Sequence, residues 1–77
     1  MNHEELRQHP EYRKCVDIIK GYRKGFILTM NYSNIPVKKG NALKVVLRDC
    51  VKDGLLECVS MGLDIHGNLV EEVYKRL

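Results

Sequence analysis

Four polar side chains recur at intervals of three and four residues in the segment NALKVVLRDCVK, residues 41–52. Three are cations and one is an amide: Asn41, Lys44, Arg48 and Lys52. At about 100° per residue, these positions gather on one side of a helix. The apolar side chains take the other side: Leu43, Val46, Leu47 and Cys50. Because ammonium and guanidinium groups pair with carboxylates and phosphates, such a face can bind an anionic surface.

The charge of the chain is concentrated around this segment. The 77 residues carry a formal charge of +3, but residues 13–52 hold ten Lys or Arg against two Asp, a net +8. Residues 1–12 carry a net charge of −2, and residues 53–77 carry a net charge of −3. Since an ordinary solvated face mixes charges of both signs, this segregation predicts an anionic partner. DNA and an acidic protein surface both fit that description.

Histidine and cysteine do not form a metal-binding or catalytic pattern. His3, His9 and His66 lack ligand spacing with one another and with the three cysteines. The cysteines are odd in number, form no C-x-x-C pair and have apolar neighbours, which predicts structural thiols. The segment KKGNALK lacks the second Gly and the Lys-Ser/Thr pair of a nucleotide-binding loop. We therefore expect no enzyme activity, no cofactor and no metal.

Size and hydropathy predict one small domain in the cytoplasm. No run of about 18 apolar residues is present, so no membrane span is expected. The start, MNHEELRQHPE, is polar and acidic, unlike a secretory signal. We expect residues 10–77 to form the compact core and residues 1–9 to form an extension or a short helical turn. A core this small often gains stability from dimerisation, and a homodimer is one possible state.

Two helices are predicted in the first half of the chain. Asn2 and Glu5 have the spacing of a capping box, which predicts a short turn of helix in residues 1–8. Pro10 suits a first helical position, and Gly25 is a natural C-terminal stop for the helix that follows. The buried face of that helix has three- and four-residue spacing: Tyr12, Cys15, Val16, Ile19 and Tyr22.

The following elements are a strand, a turn, a helix and another strand. FILTMNYS predicts a strand. NIPVKKG predicts a turn or a single short helical turn, because Pro36 disfavours the helical conformation for Ile35. The basic helix is expected over residues 39–53 and ends at Gly54. LLECVSMGLDI then alternates apolar and small residues as a strand does.

The last residues fit two structures. In one, DIHGN is a hairpin turn and LVEEVYKRL is a returning strand. In the other, Asn68 and Glu71 have capping spacing and Leu69, Val73 and Leu77 recur every four residues, which favours a helix. The predicted fold class is α+β in either case, with a winged-helix-like order in the first and a compact αβαβα order in the second.

This element order resembles a winged-helix DNA-binding domain, and the sharpest local match is LRDCVKDGLLECVS, residues 47–60. In that family the basic face of a recognition helix enters the major groove, and a two-stranded wing follows it. The segment MNYSNIPVKKG departs from the pattern, because it leaves little room for the family's second helix.

The resemblance implies a role for each polar side chain. Asn41, Lys44 and Arg48 face the groove of the DNA in this scheme. Arg48 is the best candidate for a base contact, because its guanidinium matches the acceptor edge of guanine. The complete nucleic-acid-binding set comprises Lys38, Lys39, Asn41, Lys44, Arg48, Lys52, His66 and Asn68. In this scheme Lys38, Lys39 and Lys52 contact phosphates. A wing over residues 58–77 brings His66 and Asn68 to the minor groove or the backbone.

A second hypothesis makes the chain a protein–protein interaction module. In that case the chain is an inhibitor, an adaptor or a mobile-element protein that docks its basic face on an acidic partner.

A single-stranded nucleic acid would stack on exposed aromatic side chains. The helical spacing of Tyr12 and Tyr22 instead favours core packing.

Overall fold

A computed structural model describes residues 3–77 and has the predicted α+β class. Its helices are α1 (His3–Gln8), α2 (Pro10–Gly21) and α3 (Val37–Lys52). Its strands are β1 (Ile27–Asn31), β2 (Leu56–Leu63) and β3 (Leu69–Arg76), and a three-residue 3₁₀ turn, Tyr32–Asn34, links β1 to α3. The predicted cap Asn2 lies outside the described residues. Among those residues, no helix is long and apolar enough to cross a membrane.

The three strands form one antiparallel sheet in the order β1-β3-β2. The core lies between this sheet and helices α2 and α3. Its buried members are Ile19, Val46, Leu47, Cys50, Leu56 and Tyr74. The predicted apolar faces of both long helices therefore contribute to the core, and Tyr12, Cys15, Val16 and Tyr22 pack against it while half-buried.

The final segment is the central strand of the sheet, so the alternative with a C-terminal helix was wrong. Strand β3 pairs with β1 on one side and with β2 on the other. Pairing on both sides satisfies the backbone N–H and C=O groups of β3. The hydrogen bonds to the two neighbouring strands outweigh the local preference of this segment for a helix. Asn68 caps no helix, because its backbone N–H donates to the Asp64 carboxylate in the β2–β3 turn at 2.9 Å.

Two predicted helix boundaries also shift. Helix α2 ends at Gly21, four residues before the expected stop, because Tyr22 adopts an extended conformation with φ −70° and ψ 144°. The Tyr22 ring stacks on Phe26 with centroids 4.4 Å apart, where the chain turns toward β1. Helix α3 begins at Val37, two residues earlier than predicted, and Pro36 occupies its N-cap.

Candidate nucleic-acid interface

Helix α3 brings four of the predicted site residues to one surface. Asn41, Arg48 and Lys52 are exposed and Lys44 is half-buried. We call this set the cationic face. It lines a groove of about 560 Å³ with residues of α1 and of α3 itself: Leu6, Arg7, Val45 and Asp49. The helical spacing in the sequence predicted the cationic face, whereas the contribution of α1 was not predicted.

Lys44 contacts an aromatic ring in the 3₁₀ turn that precedes α3. Its Nζ lies 4.8 Å from the centroid of the Tyr32 ring, within the range of a cation–π interaction. Tyr32 is buried, and its hydroxyl donates to Oε1 of Glu72 at 2.6 Å. The hydrogen bond holds the ring in place, and the Lys44 ammonium lies over it.

Glu72 is a buried carboxylate beneath this contact, with 1% of its surface exposed. It accepts a second hydrogen bond from the Tyr74 hydroxyl, at 2.7 Å on Oε2. Burial, and then the bond to Glu72, raises the pKa of both Tyr32 and Tyr74. Both tyrosines therefore remain protonated donors, and the three side chains join β3 to the 3₁₀ turn before α3.

Asp49 is the one acidic residue between Val37 and Lys52, and it is already bound. The Arg7 guanidinium of α1 donates to both of its carboxylate oxygens, at 2.8 and 3.0 Å. The Tyr12 hydroxyl of α2 donates to Oδ2 at 2.6 Å. These bonds join all three helices, and they offset the only negative charge of α3 with a positive charge from outside it.

The pKa values reflect this arrangement. The hydrogen bond from Arg7 is the main cause that holds the pKa of Asp49 below its ordinary value. The bonds to Asp49 and Glu4 raise the pKa of Arg7. Burial and the bond to Asp49 raise the pKa of Tyr12 to about 12. At neutral pH the cluster therefore holds an ionised Asp49, a charged Arg7 and a neutral Tyr12.

Acid is expected to weaken the fold through Asp49. A carboxyl group whose folded pKa is depressed stabilises the fold above its unfolded pKa, and this stabilisation is lost as the pH falls through the folded value. We expect urea unfolding of the wild type to lose more stability between about pH 6 and pH 2.5 than that of the Asp49→Asn variant. Equal losses in the two proteins would contradict the coupling of Asp49 to folding.

The cations of α3 have no acidic partner in the part of the fold that the structure describes. Within residues 3–77, no carboxylate oxygen lies within 4.0 Å of their charged nitrogens. These cations are Lys38, Lys39, Lys44, Arg48 and Lys52. The positive charge that the sequence places on this helix is therefore available to an anion from outside.

Lys38 and Lys39 lie apart from the cationic face. Both occupy the first turn of α3 and are exposed. Lys39 lines a separate cleft of about 310 Å³ beside Tyr12 and Cys15 of α2. The structure does not bring these two lysines into the groove with Arg48, although they share its helix.

His66 and Asn68 lie in the exposed turn between β2 and β3 and do not line the groove. Asp64 organises this turn by accepting from the backbone N–H groups of both residues, at 2.8 and 2.9 Å. The Asn68 side-chain amide also donates to Asp64, at 3.2 Å. The bonds from Asn68 and His66 lower the pKa of Asp64. The turn therefore carries a carboxylate next to both predicted contact residues.

Comparisons with known proteins do not identify the site. No family model, curated protein or solved structure matches this chain. Among residues 3–77, no group of three or more His, Cys, Asp or Glu side chains could hold a metal ion. The function must therefore be inferred from the charge and geometry of α3.

Proposed function

We propose that this protein is a small cytoplasmic DNA-binding regulator of winged-helix type, which contacts duplex DNA through α3. One observation carries the proposal. Helix α3 holds five cations without an acidic partner in the described fold, and its one acid is bound by Arg7 and Tyr12. Such a surface favours phosphates, which supply most of the affinity for duplex DNA. Occupancy of a DNA site regulates transcription in this scheme.

The groups of the cationic face have different roles. Arg48 is exposed at the centre of the face, where its planar guanidinium can bond the O6 and N7 acceptors of guanine. Asn41 can bond the N6 and N7 edge of adenine in the same way. Lys44 and Lys52 bind phosphates, which fix the position of the helix without selecting a sequence.

The elements around α3 support the winged-helix proposal in part. The β2–β3 hairpin follows α3 directly, as a wing follows a recognition helix. The 3₁₀ turn Tyr32–Asn34 stands where the family has its second helix, which departs from the pattern. The Asp64 carboxylate in the hairpin turn repels phosphate, so we assign DNA affinity to α3 rather than to His66 and Asn68.

An acidic protein surface is the second candidate partner. The groove includes the apolar side chains Leu6 and Val45 beside the cations. Protein interfaces combine apolar centres with charged rims, so this lining suits an acidic protein as well as a phosphate backbone.

Binding to duplex DNA separates these two candidate partners. Fluorescence anisotropy should follow labelled duplex DNA of random sequence at about 50 and 200 mM salt, where phosphate contacts produce a steep loss of affinity. The DNA proposal predicts binding near micromolar Kd at low salt that collapses at high salt. Absence of binding at both concentrations would overturn it and leave the acidic protein as the leading candidate.

Arg7 is expected to support DNA binding by offsetting Asp49. The Arg7→Met variant leaves the Asp49 carboxylate without guanidinium bonds, and we expect duplex affinity to fall about fivefold through repulsion of phosphate. The Arg7→Met, Asp49→Asn double variant lacks that negative charge, so most of the affinity should return. Failure of the double variant to recover would show that Arg7 acts as a direct contact instead.

A further inference from the structure

The cleft of about 310 Å³ between α2 and α3 has no role in the DNA proposal. Most of the side chains that line it are apolar: Tyr12 and Cys15 of α2, with Ala42, Leu43 and Val46 of α3. Cavities that bind small molecules have volumes of about 300–1,000 Å³, and they combine an apolar lining with a few polar groups that orient the ligand. The cleft therefore has the size and lining of a small-molecule site.

This cleft continues toward α1. A neighbouring cleft of about 250 Å³ extends to Leu6 of α1. The two clefts share four lining residues: Glu11, Tyr12, Lys39 and Ala42. Because the clefts adjoin along the two helices, together they accommodate an extended molecule better than a rounded one. We call them the α2–α3 cleft.

Positive charge is concentrated at the end of the α2–α3 cleft nearer to α1. Lys39 lines both parts of the cleft, whereas Lys38 lines only the part that reaches α1. Neither ammonium has a carboxylate within 4.0 Å among residues 3–77. Glu11 also lines both parts, but its carboxylate lies 4.0 Å from the Lys14 ammonium, which partly offsets its charge. This end of the cleft therefore favours an anion.

The other end of the α2–α3 cleft is apolar. Cys15, Leu43 and Val46 line only the part farther from α1. Burial raises the pKa of the Cys15 thiol, and Glu11 raises it further, against a lowering effect of Lys39. The thiol is therefore neutral at pH 7. An apolar chain gains free energy when it leaves water for such a lining.

We propose that the α2–α3 cleft binds a linear monocarboxylate with an acyl chain of medium length. The carboxylate lies at the ammonium groups of Lys38 and Lys39, and the chain runs along Tyr12 and Ala42 to Val46. Hydrogen bonds between ionised groups are about twice as strong as those between neutral groups, so the lysines select an acid. This binding goes beyond the proposed function, because neither lysine lines the groove that contains Arg48.

Isothermal titration calorimetry with decanoate, on the protein without DNA, tests the proposal. Below its critical micelle concentration, decanoate should bind about tenfold more tightly than octanoate, because two further CH₂ groups are buried. Decyltrimethylammonium has a chain of the same length and the opposite charge, and it should not bind. Ala42→Phe places a ring in the cleft and should abolish binding of decanoate. Circular dichroism should show that this variant folds.

A lysine variant tests the orientation of the ligand. Lys39→Gln removes one of the two ammonium groups and should weaken decanoate binding about threefold. The matched control is Lys20→Gln, because Lys20 is exposed on α2, lines neither part of the cleft and carries the same charge. It should retain the affinity of the wild type.

Three results would overturn the proposal. These are no binding of decanoate by the wild type, equal binding of decanoate and decyltrimethylammonium, and equal losses of affinity in Lys39→Gln and Lys20→Gln. None of them depends on whether α3 binds DNA, so failure of this proposal is distinct from failure of the proposed function.

Discussion

Replacement of Arg48 by alanine is expected to weaken binding to duplex DNA by about tenfold or more. An arginine that bonds a guanine edge contributes about 1–3 kcal/mol, and about 1.4 kcal/mol corresponds to a factor of ten in Kd. Arg48 is exposed on the cationic face and has no acidic partner in the described fold. Lys44→Ala should also weaken binding, because Lys44 lies in the same groove. Fluorescence anisotropy at a fixed salt concentration measures both changes.

Lys14→Ala is the matched control for this prediction. Lys14 lies on α2, outside the groove, and its ammonium is 4.0 Å from the Glu11 carboxylate. Its removal changes the net charge by the same amount as the loss of Lys44 or Arg48. Affinity should therefore fall less for Lys14→Ala than for either of the others. Equal losses in all three variants would show that net charge alone drives binding and would contradict the role of α3.

Replacement of Glu72 by alanine is expected to destabilise the fold by about 3 kcal/mol or more. The buried carboxylate accepts hydrogen bonds from the hydroxyls of Tyr32 and Tyr74. Alanine leaves both hydroxyls without this acceptor, at about 1–3 kcal/mol for each buried unsatisfied group, and it opens a cavity. Desolvation of the carboxylate offsets part of this loss, because a buried charge is itself costly. Urea unfolding followed by circular dichroism measures the free energy of unfolding.

Two further variants isolate the hydrogen bonds. Glu72→Gln retains the shape of the side chain, and its amide can still form hydrogen bonds with both tyrosine hydroxyls. This variant should therefore lose less than half as much stability as Glu72→Ala. Glu71→Ala removes the exposed neighbouring carboxylate and should change stability by less than about 0.5 kcal/mol. If Glu72→Ala unfolded at the same urea concentration as Glu71→Ala, the two hydrogen bonds would not stabilise the fold.

Local patterns in the sequence predicted the helices and the cationic face. The three- and four-residue spacing of apolar residues within each long helix places Ile19 of α2 and Val46 and Leu47 of α3 in the core. The same periodicity places Asn41, Lys44, Arg48 and Lys52 on the opposite side of α3. Such features depend only on residues within one element, and for that reason a single sequence reveals them.

The remaining features depend on contacts between distant residues. Arg7 and Asp49 are 42 positions apart, and Tyr32 and Glu72 are 40 apart. No short-range pattern in the sequence relates residues so far apart. A single acidic residue in an otherwise basic helix does, however, indicate that Asp49 has a partner. The last strand was ambiguous for the same reason, because its pairing with β1 and β2 decides between strand and helix.

Chemical-shift mapping during a titration with duplex DNA shows which surface of the protein binds the duplex. Amide resonances should be followed in ¹⁵N-labelled protein as duplex DNA is added at low salt. We expect the largest shifts at Asn41, Lys44, Arg48 and Lys52, with smaller changes at Lys14 and in β1. Shifts centred on another surface, or no shifts at concentrations that saturate a micromolar complex, would contradict the assignment of DNA binding to α3.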